Sequence, residues 1–225
     1  VCCGASRSIV ASGGALIMAA RKVREKVARI AAHMLEASPD DLTIEAGQLS
    51  VRGMPTRRVS LAEVAHLAYH PASGTLPDGT DPALEATHYY DPPPATFSNG
   101  THLAVVDVDV ETGQVEMIRY VVVEDCGTMV NPMIVEGQTH GAVAQGIGNA
   151  LYEDVVYDQE GQPLTTSFMD YLVPAAMELP AMEIVHMETP PRVSVSGFKG
   201  MAEGGTIGAT AAVANAVADA LAPLG

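Results

Sequence analysis

The chain has 225 residues, room for one large domain or two small ones. Apolar residues make up 48% and charged residues 17%, a globular balance that excludes a disordered chain. A formal net charge of −15 repels phosphate, which argues against nucleic acid and anionic membrane as partners.

The first predicted element is a long helix over 12–37. Leu16, Val23, Val27, Ile30 and Met34 recur on one helical face, and Ser38-Pro39 ends it. Leu42, Ile44, Leu49 and Val51 alternate around Ala46-Gly47 and predict a small hairpin. Ser60-x-x-Glu63 is a capping box that opens a short helix to about Tyr69. Residues 71–100, with Pro92-Pro93-Pro94, read as an extended connection. A second hairpin follows: Leu103, Val105, Val108 and Val110 precede the turn at Thr112-Gly113, and Val115, Met117, Tyr120 and Val122 follow it. Residues 132–151 are weakly helical and glycine-rich. A third hairpin is expected over 153–166, turned at Asp158–Gly161, then a strand over 181–187 and a small-residue helix over 205–222. No run of roughly 18 apolar residues occurs, so neither a membrane span nor a signal peptide is expected. Val1 runs straight into a loop and the chain stops just after a helix, which suggests a fragment or one subunit of something larger.

Cys2, Cys3 and Cys126 are too few for a disulfide framework or an iron–sulfur cluster, and read as reduced cytoplasmic thiols. The seven histidines form no site by spacing. His66 and His70 stand four apart but lack an adjacent acidic base, so a surface or core role is expected. No G-x-S-x-G elbow supports a serine hydrolase.

Three glycine-marked segments carry the candidate chemistry. Gly4 to Gly14 precedes the long helix, where free N–H groups can hold an anion, or where serines simply cap the helix. In the second, Gly137, Gly141, Gly146 and Gly148 are costly in a helix, so something packs closely there. Gln145 can hold a ligand heteroatom, or the glycines serve helix packing alone. In the third, Gly197 to Thr206, Glu203 is either a general base whose pKa burial would raise, or a helix-capping residue.

Together the stretches GFKGMAEGGTIGATAAVANAVADAL, VEDCGTMVNPMIVEGQTHGAVAQGIGNALYED and TSFMDYLVPAAMELP closely resemble the molybdenum-binding large subunits of the xanthine dehydrogenase and aldehyde oxidase family, above all the carbon monoxide dehydrogenase-like bacterial branch. GASRSIV…GGAL resembles that family's loop and helix. The similarity covers nearly the whole chain, in the family's order, and corresponds to most of its C-terminal cofactor-binding domain.

The resemblance implies an α+β fold of repeated units in lobes, divided at 1–98 and 99–225. It implies a molybdenum–molybdopterin cofactor, in the cytosine dinucleotide form, that hydroxylates an aldehyde, N-heterocycle or related small molecule with water. Electrons then leave through iron–sulfur clusters, with these and FAD on partner subunits or domains. Glu203 stands at the family's active-site Glu, the base that deprotonates the hydroxyl on molybdenum. Gln145, the Met201 and Ala202 backbone, and Val10, Ala11, Ser12 and Gly13 stand at cofactor-contacting positions, although the family more usually has Gly where Ala202 stands. No residue of this chain is implied as a metal ligand. Because the cofactor lies between domains, the chain alone is expected to be inactive and to hold no stoichiometric molybdenum. A non-catalytic assembly factor or decayed remnant of the same fold is the alternative.

Overall fold

A computed structural model describes residues 4–72 and 74–224. Cys2 and Cys3 lie outside the described residues. The chain forms two compact units, Ser12–Asp91 and Val1–Ala11 with Pro92–Gly225. The division expected at 98/99 from the resemblance falls a few residues after this one.

The Ser12–Asp91 unit packs most of α1 (Ser8–Met34) and α2 (Leu61–Tyr69) with a three-stranded antiparallel sheet, β1 (Leu42–Glu45), β2 (Gln48–Val51) and β3 (Met54–Ser60). Val27, Ile30 and Ala31 of α1 bury against Leu49, Val64 and Ala68, with Val23 and Met34 at the margin. Leu16, expected on this face, is instead exposed. The helix stops three residues short of its expected end because Glu36 turns left-handed (φ 48°), which lets the Ala37 N–H reach the Ala32 carbonyl. The Arg57 guanidinium of β3 donates to the freed carbonyls of Leu35 and Glu36. Ala46 and Gly47, both at positive φ, make the β1–β2 turn.

In the second unit β4 (Asn99–Val108), β5 (Val115–Asp125) and β6 (Met182–Met187) form a sheet in that order, with β4 antiparallel and β6 parallel to β5. α3 (Pro132–Leu151) and α4 (Gly204–Leu221) cover one face, where Tyr120, Val122, Val143, Ile147, Ala209 and Val213 form the core. The β4–β5 register shifts between Val105 and Val106, which face Arg119 and Met117. The extra residue, Ile118, puts Met117 and Tyr120 on one face although they stand three positions apart. Leu103 and Val105 are exposed, while His102, Ala104 and Val106 of the alternate set are partly buried.

The hairpin expected over 153–166 reduces to one bridge, Tyr157 to Pro163, around a turn held by the Asp158 carboxylate. Pro163 has no N–H with which to extend the ladder. Residues 71–98 contain no helix or regular strand among the described residues, as expected.

α3 and α4 interlock through paired notches. A Cβ on Gly146 would meet the Ala209 Cβ at 2.5 Å, and one on Gly205 would meet the Ala142 Cβ at 2.7 Å. Each helix therefore offers a glycine to the other's alanine, and the Thr206 hydroxyl seals the seam by donating to the Ala142 carbonyl at 3.0 Å. By length and composition α4 is apolar enough to cross a membrane. In the unit its Gly205, Ala209 and Val213 face are buried.

Candidate functional site

The second unit holds a cavity of about 430 Å³. Phe97, Asn99 and His102 line it from the start of β4, Glu124 and Asp125 from the end of β5, and Met201, Glu203, Ile207 and Gly208 from the loop and first turns of α4.

The loop that carries Glu203 is fastened to the sheet by a buried ion pair. Lys199 Nζ lies 3.1 Å from Asp125 Oδ1, and both side chains are more than nine-tenths buried. Asp125 also accepts from the Gly127 N–H at 2.8 Å and from the Thr189 N–H at 3.3 Å, and Lys199 donates to Thr189 Oγ1 at 3.0 Å. Burial pushes the Asp125 carboxyl up, but these N–H donors and the Lys199 charge outweigh it and hold the pKa below the usual carboxylate range. The Lys199 N–H donates to the Cys126 carbonyl at 2.9 Å, and Gly127 pairs with Phe198. Gly127 is left-handed (φ 67°), and a Cβ there would collide with the Gly197 carbonyl. Cys126 itself is buried, and burial together with the Glu124 charge raises its thiol pKa, so it remains an unreactive thiol.

Glu203 is the N-cap residue of α4, yet its side chain makes no capping hydrogen bond. It is exposed and lines the cavity, so the burial expected for it is not supplied by this chain's own residues. Gln145 stands beside the same helix start, the end of its side-chain amide 3.3 Å from Thr206 Oγ1. The second and third glycine segments thus come together. Met201 lines the cavity, and Ala202 is exposed with its carbonyl accepting from Gln138 Nε2 at 2.9 Å. The missing Cβ of Gly205, in the third segment, makes room for α3. Gly204 has nothing within 4 Å of where a Cβ would stand.

The first segment differs most from expectation. α1 begins at Ser8, and the Ala11 N–H already bonds the Arg7 carbonyl at 3.0 Å. Ser12 and Gly13 are therefore inside the helix, where their N–H groups serve the helix and are not free for an anion. Val10 is buried, Ala11 half-buried and Ser12 exposed. Val10 and Ala11 belong to the cavity-bearing unit, and Ser12 and Gly13 to the other.

Sequence reasoning missed Gln138 and His102. Gln138 lies seven residues before Gln145 on the same helical face, which is the signal that would have marked it. His102 occupies an inward position of β4. His66 and His70 are exposed, and no cluster of three potential metal ligands occurs among the described residues.

A molybdopterin group fits this donor set. The cavity offers the uncapped Glu203 carboxylate, the His102 imidazole and open backbone at Gly204, and the Gln145 amide stands beside the same helix start.

The molybdopterin cofactor-binding domain model matches residues 1–180. The chain is 47% identical over 220 residues to the nicotine 6-hydroxylase large subunit of Paenarthrobacter nicotinovorans, covering 98% of this chain and 27% of that protein. It is 41% identical to the carbon monoxide dehydrogenase large chain of Hydrogenophaga pseudoflava, with the same coverage. Among solved structures, quinoline 2-oxidoreductase from Pseudomonas putida 86 superposes with a TM-score of 0.89 at 47% identity, covering 98% of this chain and 28% of that one. The chain thus spans about a quarter of the length of these relatives. An α+β unit with a cofactor-sized cavity and these alignments together give one conclusion: the chain belongs to the molybdopterin cofactor-binding domain family of the molybdenum hydroxylase large subunits.

Proposed function

We propose that this chain forms one wall of the active site of a molybdenum hydroxylase, with Glu203 as general base. The observation that carries the reading is the Glu203 carboxylate. It is placed at a helix start, where a Glu is commonly spent on capping, and it caps nothing. It is aimed instead at the cavity.

Gln145 and the Met201–Ala202 backbone would hold the pterin group, with Val10, Ala11, Ser12 and Gly13 as further contacts. When bound, the group supplies the two-electron oxidation that converts a substrate C–H to C–O with oxygen from water. A Glu203 oxygen takes the proton released at that oxygen, and the remaining parts of the subunit exclude water and supply the desolvation this chain lacks. Phe97, Met201 and Ile207 give the cavity apolar surfaces next to the carboxylate, which suits a flat ring with one polarised edge. The relatives at 47% identity bear the names of a nicotine hydroxylase and a quinoline oxidoreductase, so an N-heteroaromatic substrate is favoured over an aldehyde or carbon monoxide. The cytosine dinucleotide form of the cofactor, iron–sulfur and FAD partner subunits, and a cytoplasmic setting belong to the same reading. The buried free thiol of Cys126 supports a reducing compartment. The chain by itself is inactive and holds no stoichiometric molybdenum.

The test is Glu203→Gln in the complete enzyme, assayed with quinoline, nicotine, an aldehyde and carbon monoxide. Loss of a general base costs typically 10²–10⁴-fold, so turnover falls at least about a hundredfold while molybdenum content stays at the wild-type level. Unchanged turnover would remove Glu203 from the mechanism. Loss of metal together with turnover would assign the residue to assembly, the role the alternative reading requires.

A further inference from the structure

Glu203 is the last residue of a short span that is held at both ends. Upstream, Phe198 pairs with Gly127 and Gly200 pairs with Phe97, so the chain threads between the segment after β5 and the segment before β4. Downstream, the Gly204 N–H donates to the Met201 carbonyl and the Ile207 N–H to the Glu203 carbonyl, both at 3.1 Å. The first turn of α4 is docked on α3 by the Gly205 notch and the Thr206 hydroxyl. Only Met201, Ala202 and Glu203 lie between the upstream and downstream holds.

Lys199 stands between the two upstream bridges. Its backbone N–H donates to the Cys126 carbonyl at 2.9 Å, its Nζ lies 3.1 Å from Asp125 Oδ1, and the same Nζ donates to Thr189 Oγ1 at 3.0 Å. The Thr189 hydroxyl donates in turn to Asp125 Oδ2, and the Gly127 N–H donates to Asp125 Oδ1 at 2.8 Å. One carboxylate thus ties together the turn after β5, the segment after β6 and the loop that leads to Glu203. Lys199 is the only lysine of this unit, and its side chain is more than nine-tenths buried, where lysine is almost never found unless paired. A buried ion pair is a poor source of stability, because neutral groups of similar volume often serve the fold as well. What the pair adds is direction: it fixes the lysine, and with it the loop backbone, at one place against the sheet.

We propose that Lys199 is a positioning residue for Glu203. Its pair with Asp125 sets the upstream hold of the 201–203 span and so sets where the Glu203 carboxylate stands in the cavity. The inference rests on Glu203 being the base. Because α4 is docked independently, any slip of Gly200 has to be absorbed within the span itself. The need is chemical, because a displacement of about 1 Å from the reacting geometry can cost on the order of a hundredfold in rate.

The experiment uses the complete enzyme. The first variant is the double substitution Lys199→Met with Asp125→Asn. It removes both charges together, keeps the side-chain volumes, and leaves an acceptor for the Gly127 N–H. We expect a melting temperature near wild type, and kcat lower by about ten- to a hundredfold with KM and molybdenum content near wild type. Leu49→Ala, in the core of the other unit, is the control for a purely structural loss. It lowers the melting temperature and leaves kcat at the wild-type value. Independently of turnover, amide exchange at residues 199–203 in cofactor-free protein is faster in the double variant and unchanged in Leu49→Ala. The inference is overturned if the double variant keeps wild-type kcat, if its loss follows molybdenum content, if exchange at 199–203 is unchanged, or if Leu49→Ala loses kcat as well. Should the double variant not fold, Thr189→Val decides. It keeps the charges paired but removes both hydroxyl bonds, and it lowers kcat in the same direction; wild-type kcat and exchange there overturn the inference. Glu203→Gln separates the two levels. If it retains turnover, the base reading falls and this inference with it. If it abolishes turnover while the double variant and Thr189→Val leave kcat intact, the positioning role alone falls.

Discussion

The starts of α2 and α4 each carry a glutamate, and the two are used in opposite ways. At α2, Ser60 Oγ accepts from the Glu63 N–H at 3.2 Å, and the Glu63 carboxylate accepts the Ser60 N–H at 2.8 Å. The Ser60 hydroxyl, 2.6 Å from the same carboxylate oxygen, and then the Ser60 N–H hold the Glu63 pKa below its ordinary value. The helix start is closed by its own residues. At α4, the Glu203 side chain occupies the cap position and bonds nothing there, while the side-chain grips on the turn come from other residues: Lys199 to Asp125, Gln138 to Ala202 and Thr206 to Ala142. A carboxylate released from local structural duty needs external support, and that support surrounds it here.

If the support is external, the largest effect comes from its buried ion pair. Lys199→Ala leaves Asp125 buried without its cation and should destabilise the complete subunit by about 3–5 kcal/mol in thermal unfolding. The same pair sets a pH dependence. The folded Asp125 pKa lies below its unfolded value, so its contribution is fully present above about pH 4 and is lost as pH falls through the lower, folded value. In Lys199→Ala the acid loss should begin at higher pH, which a series of melting curves across pH 2–6 would reveal.

The notches between α3 and α4 come next. Gly205→Ala places a methyl 2.7 Å from the Ala142 Cβ and should cost about 1–3 kcal/mol, read from the same melting curves. At the self-capped start, Ser60→Ala should cost about 1 kcal/mol and leave turnover unchanged. The smallest stability effect sharpens the contrast: Glu203→Gln should shift stability by no more than about 0.5 kcal/mol, because no cap is lost. A larger drop would show that Glu203 is structural and would collapse the difference between the two helix starts.

How much of this was legible in the sequence depends on how local the interaction is. The Ser60–Glu63 box was readable because its partners are three residues apart. The α3 glycines announced close packing but not its partner, which is Ala209 for Gly146, and the matching notch of Gly205 against Ala142 was not read. β3 escaped notice because Met54-Pro55-Thr56-Arg57-Arg58 shows no apolar alternation, and its exposed residues need none. The start of α1 was placed four residues late because Ser8 and Ser12 are equally good caps on paper. Gln138 grips a backbone carbonyl, which every residue has, so nothing in the partner's identity marks it. Met201, Glu203 and Gln145 were located from motif resemblance, whereas the cavity that groups Glu203 with His102, Glu124 and Asp125 is a product of the fold alone.

The parallel pairing of β5 with β6 has a kinetic consequence. Parallel strands cannot be joined by a tight turn, and here the whole of α3 and residues 152–181 intervene. Doubling such a connection adds only about 0.6 kcal/mol of closure entropy, so stability tolerates it, but folding slows as contacts become less local. The walls of the cavity come from residues near 97–102, 124–125 and 200–208, so none of it exists in the nascent chain until α4 has been made and docked. The cavity is therefore completed late in folding, and an arrested or truncated product lacking α4 would present an open sheet face.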